Sequence, residues 1–256
     1  MTSVTRILAA ATLLLAPMAS PRAEVPPNGV AHNDAALAAL NVLAEQTRQN
    51  GTLPRLSDDK GRAVLEDLWN AGASLGQPPY PAADVPKLID ILQKQSQAFN
   101  AYVNFTPAIG TAPDPNKNAA TYQDELAHAG AFLMDNVAAT LSAMTDLWRT
   151  LPEHDRTTAR RQGVLQAQQG FSQMITGAAL MIRDPAMRQE NRTTLTQAIE
   201  EYGPTIAASL RPEDRTGIAG AVRPAIEAVP PEDQARLQVF LTALSAPGCE
   251  GLCTVQ

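Results

Sequence analysis

From Asp34 onward, apolar side chains recur at spacings of three and four residues, and no stretch alternates with period two over the length of a strand. Such a pattern predicts helices and no sheet. A first helix is expected over 33–50, with Leu37, Leu40, Leu43 and Thr47 on one face and Gly51 as its C-terminal stop. A second is expected over 57–75, burying Leu65, Leu68, Gly72 and Leu75. The proline-rich run 77–84 is a loop, because prolines lack the amide donor and restrict the residues before them. Asp84 then caps a third helix carrying Leu88, Leu92, Phe99, Tyr102 and Phe105, which ends in a second proline-rich loop, 107–115.

The longest stripe follows. Over 118–150, Tyr122, Leu126, Ala129, Leu133, Val137, Leu141, Met144 and Trp148 track one face of a helix. At 1.5 Å per residue that helix spans roughly 45 Å, a length suited to a bundle. Three later segments, 151–156, 210–215 and 229–234, each place proline and acids where a helix would start. Proline is tolerated in a first turn, and acids there complement the positive end of the helix dipole, so the likeness needs no duplication. Asp184-Pro185 opens another helix through Ile199, and Pro204 is expected to interrupt or kink it. The fold class is therefore all-α: a bundle of about eight antiparallel helices over 24–246. The loops also allow two packed halves, 30–110 and 111–246.

The N-terminus modifies that picture. Met1–Arg6 carries one basic side chain and Ile7–Ala16 is an unbroken apolar run, the layout of a cleaved signal peptide. The run stops at Pro17 after roughly ten residues, too short for a membrane span. Cleavage falls in the window 19–23. The expected product is periplasmic or secreted, without stable membrane insertion. Losing 1–23 removes Arg6 and Arg22 but no acid, which moves the net charge from −6 to −8. An acidic chain disfavours nucleic acid and anionic membrane surfaces. In an oxidising compartment Cys249 and Cys253 are expected to form a disulfide closing the tail 247–256, because the three residues between them include Gly251.

Candidate chemistry is sparse. Gly163, Gly170 and Gly177 recur every seven residues inside one predicted helix, 152–182, each costing about 1 kcal/mol relative to alanine. With Ala167 they form a stripe that a neighbouring helix, a flat ligand or a partner peptide would approach closely. Glu125 and His128 have the Glu-x-x-His spacing of carboxylate-bridged metal bundles. No second copy of that spacing occurs, and the favoured reading is an ordinary pair on a helix surface. Arg156, Arg160 and Arg161 form a basic patch able to grip an anion, although Glu153 and Asp155 favour internal ion pairing. Acid pairs occur at Asp58-Asp59, Asp124-Glu125 and Glu200-Glu201, and a carboxylate hydrolase would need two acids across a cleft. No Gly-x-Ser-x-Gly elbow or phosphate-binding glycine loop is present, and no cofactor is implied. The leading expectation is a non-enzymatic binding or interaction protein of the cell envelope, its partner an envelope protein or a small ligand. The alternatives are a carboxylate-based hydrolase of an envelope polymer and a metal-handling bundle at Glu125 and His128.

Overall fold

A computed structural model of the chain describes residues 25–26, 28–107, 110–246, 248–249 and 251–255. The expected signal segment 1–23, with its cleavage window, lies outside the described residues. Those residues form ten α-helices and no strand: α1 Gly29–Arg48, α2 Asp59–Leu68, α3 Ala71–Ser74, α4 Val85–Val103, α5 Pro115–Thr121, α6 Gln123–Thr150, α7 Thr158–Arg183, α8 Gln189–Ser209, α9 Pro212–Ile226 and α10 Pro231–Ser245. The all-α class stands, and the count of about eight is corrected to ten because two expected helices are broken.

Each break has a local cause. The second expected helix divides into α2 and α3 at Trp69 and Asn70, where the Asn70 side chain accepts a hydrogen bond from Ala73 N–H and starts a new helix. The long helix divides into α5 and α6 at Tyr122, whose φ of −111° leaves the helical region. Its hydroxyl instead accepts from the amide of Leu53 at 3.1 Å. The expected helix start at 151–156 is a short 3₁₀ turn, Glu153–Asp155, and α7 begins later, where the Thr157 side chain accepts from Arg160 N–H. Pro204, by contrast, interrupts nothing: α8 runs through it to Ser209. Pro204 and Glu200 are both exposed, so the carbonyl that loses its partner faces water.

α6 is the spine, lying against α4 on one side and α8 on the other, while α8 packs α10, α10 packs α9, and α9 returns to α7. Every stripe residue from Leu126 to Trp148 is buried, as the periodicity predicts. Close approach between α8 and α10 depends on Gly203, where a Cβ would lie 2.5 Å from the ring of fully buried Phe240. One large apolar cluster extends from Val25 to Val255. A smaller one gathers Ala36, Leu40, Leu53, Leu65, Leu68, Tyr102, Phe105, Tyr122 and Leu126. No helix among the described residues is long and apolar enough to cross a membrane.

Candidate functional site

The C-terminal half of α6 carries two stripes. Leu141, Met144 and Trp148 turn inward, and Ser142, Thr145, Asp146 and Arg149 run alongside them at spacings of three and four, on the adjacent face. Three other segments converge on that polar stripe. The loop before α4 brings Pro79, Tyr80 and Pro81, tied to α6 by the Ala82 amide donating to Asp146 Oδ2 at 3.1 Å. The turn after α6 brings Arg156. The C-terminal 3₁₀ turn, Gly251–Thr254, brings Gly251 and Thr254. Together they enclose an open groove of about 1010 Å³.

Each wall of the groove is fixed. Cys249 and Cys253 lie at disulfide distance, their Cα atoms 5.6 Å apart, closing the tail as expected. Fully buried Gln168 of α7 donates to the carbonyls of Ser209, at 2.7 Å, and Leu252, at 3.0 Å, holding the tail against α7 and α8. Gly251 has φ +84°, and a Cβ on it would sit 3.0 Å from the Thr145 methyl. A residue with a side chain would be strained there and pushed off α6. Arg156 lies over the Trp148 ring at 5.5 Å and Arg161 over the same ring at 5.8 Å. Arg156 Nε also donates to the Leu151 carbonyl at 3.1 Å. Burial, followed by the charges of Asp135 and Asp84, pushes the Tyr80 hydroxyl up to about 12, so it stays a neutral donor.

Set against models of protein families, curated proteins and solved structures, the chain matches none of them.

Of the sequence-predicted residues, Arg156 lines the groove and Cys249 and Cys253 close the tail that walls it; the others fall elsewhere. Gly163, Ala167 and Gly170 are buried along α7, whereas Gly177 is only half-buried, and among the described residues nothing beyond the adjoining backbone of its own helix lies within 4 Å of where its Cβ would be. A heptad stripe drifts by about 20° per repeat on an α-helix, and here the drift carries the third glycine to the edge of the buried face. Glu125 and His128 do not form the surface pair the spacing suggests. Glu125 is 1% exposed and its Oε1 accepts from the Leu56 amide at 2.7 Å. His128 is exposed and stacks on Trp69, ring centroids 6.2 Å apart. Among the described residues no group of three or more His, Cys, Asp or Glu side chains converges as a metal shell. The basic patch divides: Arg160 takes the Asp155 carboxylate at 3.8 Å, while Arg156 and Arg161 go to Trp148.

Two features escape sequence reasoning. One is the groove, whose residues come from four separate stretches of chain. The other is an acid cluster between α6 and α8. Burial, reinforced by Glu201, pushes the Asp135 carboxyl up to about 6 against a hydrogen bond from Tyr202 that works the other way. Tyr202 also hydrogen-bonds Glu201. Glu200, beside it, is engaged by Arg236 at 3.3 Å. Neither Asp135 nor Glu201 lines the groove. A second hollow of about 490 Å³ lies between α1 and α4, lined by Leu37, Ala44, Ala98 and Tyr102. Lys94 on its rim is neutralised by Asp34 and Asp90 at 2.6 and 2.7 Å.

Proposed function

We propose that the chain is an exported, non-enzymatic binding protein of the cell envelope, and that its site is the groove between the 79–81 loop, α6, Arg156 and the disulfide-closed tail. The observation that carries this reading is the convergence of aromatic, hydroxyl and guanidinium groups from held segments on one concavity. Its volume, about 1010 Å³, is at the upper end of the range of small-molecule sites. Such sites combine apolar walls with a few placed polar groups, and Tyr80 and Trp148 beside Ser142, Thr145 and Arg156 supply both. Export is supported by the cysteine pair, which lies at disulfide distance.

The test is native mass spectrometry of the chain exported with its own leader and purified from the envelope fraction. The expected result is a non-covalent small molecule on the wild type and none on Ser142→Trp, which fills the groove. Equal occupancy of both chains, or of neither, would refute the reading. Fusion of residues 1–30 to alkaline phosphatase, which is active only outside the cytoplasm, tests export: an inactive fusion sinks it.

A carboxylate hydrolase is the second reading, favoured by Asp135, whose raised carboxyl has the character of a general acid. Release of soluble fragments from peptidoglycan, abolished by Asp135→Asn, would promote it over the first.

A further inference from the structure

The charges at the groove differ in sign from those of the chain. Net charge is −6, yet the ionic groups lining the groove are Asp146, Arg149 and Arg156. Asp146 is already engaged, accepting from Arg149 at 2.9 Å and from the Ala82 amide at 3.1 Å. Asp155, beside Arg156 in sequence, is taken by Arg160 and His154. Arg156 is thus left without a carboxylate partner among the described residues.

The Arg156 guanidinium is also pre-placed. Its Nε is used by the Leu151 carbonyl and its carbon lies over Trp148. A guanidinium carries five N–H donors in a rigid fork, so the terminal nitrogens keep theirs for an incoming acceptor. The half-buried position removes part of the water that would otherwise screen it, and little freedom is lost when an anion arrives. A cationic ligand is disfavoured, because the Trp148 ring that would attract it is already covered by two guanidinium groups.

We infer that the groove takes a small organic anion, a carboxylate, sulfonate or phosphate group on an apolar body, with Arg156 receiving the anionic group and Pro79, Tyr80 and Pro81 contacting the body. The inference rests on the groove being the binding site proposed above.

The probe pair is 1-anilinonaphthalene-8-sulfonate and N-phenyl-1-naphthylamine, which share an aromatic body and differ in the sulfonate. Both are titrated by their own emission and by quenching of tryptophan emission, with Trp69→Phe leaving Trp148 as the reporter. The sulfonate should bind the wild type at least tenfold more tightly than the neutral amine, a ratio equivalent to about 1.4 kcal/mol. Arg156→Gln should lose about tenfold for the sulfonate while keeping its affinity for the neutral amine, which also shows that the groove still folds; Arg156→Lys should fall between. Raising sodium chloride from about 50 mM to about 500 mM should weaken the sulfonate alone. Equal wild-type affinity for the two probes, or Arg156→Gln binding the sulfonate within about twofold of wild type, overturns the anion inference and leaves the groove. Loss of the neutral amine together with the sulfonate in Arg156→Gln also overturns it, since Arg156 would then be shaping the groove and not receiving the anion. Failure of both probes to bind the wild type, or unchanged binding of both to Ser142→Trp, takes the proposed function down as well.

Discussion

Glu125 and Asp233 are both carboxylates buried to within 2% of complete, one beneath the 52–57 loop and one between α8 and α10, yet they titrate in opposite directions. Around Glu125 the neighbourhood is built to hold a loop. Leu56 N–H donates to one oxygen, Leu53 N–H to Tyr122, Tyr102 to the Pro54 carbonyl, and Arg55 to the Thr121 carbonyl. The other Glu125 oxygen has no hydrogen-bond partner, so burial dominates and raises its carboxyl. Asp233 is buried as deeply, but Thr196 at 2.7 Å, Gln189 at 2.7 Å, Thr193 at 3.0 Å and Arg236 at 2.5 Å all donate to it. Burial pulls its carboxyl upward, and the hydrogen bonds from Thr196, Arg236 and Thr193 outweigh that and hold it below the usual range. Burial alone therefore does not set the protonation of an acid in this fold; the number and charge of its donors do.

The largest expected effect comes from breaking the better-satisfied site. Asp233→Asn removes the charge that Arg236 and two threonines address and turns one acceptor into a donor. Hydrogen bonds to charged groups are worth about 1.5–3 kcal/mol each, and stranded donors add their own cost. A loss of about 3 kcal/mol at pH 7 is expected, read from the urea midpoint at constant slope. The sign with pH also follows. A depressed folded value means that the contribution is complete above the unfolded value and is lost as pH falls through the folded one, so wild type and variant should converge in acid. A variant as stable as wild type at pH 7 would mean that the four donors do not act on the carboxylate as a set.

Helical periodicity made much of the framework legible, and none of these three-body arrangements. The α6 stripe could be read because one apolar face repeats over many turns and a single partner layer covers it. Tyr122 belongs to that stripe by spacing, but its hydroxyl is taken by Leu53, 69 residues earlier, and no local pattern announces the break that results. The same holds for Asp135. It stands on α6 as a lone acid among Ala131, Phe132, Ala138 and Ala139, and its partners, Tyr202 and Glu201, come from α8. The groove assembles residues from 79–81, 142–149, 156 and 251–254. Of these, two carried a signal: Arg156, as part of a basic patch able to grip an anion, and the tail, through the Cys249 and Cys253 spacing, which pointed to a staple and not to a wall.

Asp135 tests the middle of the comparison, an acid with one tyrosine as its donor. Its carboxyl rises from 3.8 to about 6. Between those values the folded chain keeps a proton that the unfolded chain has released, so stability falls as pH rises through that window and stays lower above it. The displacement corresponds to about 3 kcal/mol, which solvent screening at the half-buried carboxyl reduces to on the order of 2 kcal/mol. Asp135→Asn should recover about that amount at pH 7 and flatten the decline between about pH 4 and about pH 6 in a series of denaturation curves. A decline that persists unchanged in the variant would place its origin in another group.

The smallest effect belongs to Glu125, and its sign separates burial from bonding. Glu125→Gln keeps an oxygen for the Leu56 amide and replaces the oxygen that has no partner. The variant therefore retains the one bond holding the loop while removing a charge that nothing compensates fully. A gain of less than about 1 kcal/mol at pH 7 is expected. It should shrink as pH falls toward 4.5, the ordinary value for this group, because a raised folded value makes the wild type regain stability as Glu125 takes up its proton. If Glu125→Gln instead destabilises the chain by 2 kcal/mol or so, the carboxylate charge is being used. The group positioned to use it is Arg55, whose side chain lies 5.7 Å over the Tyr122 ring and whose charge pulls the Glu125 carboxyl down. The difference between Glu125 and Asp233 would then be one of degree, with a cation acting at both sites.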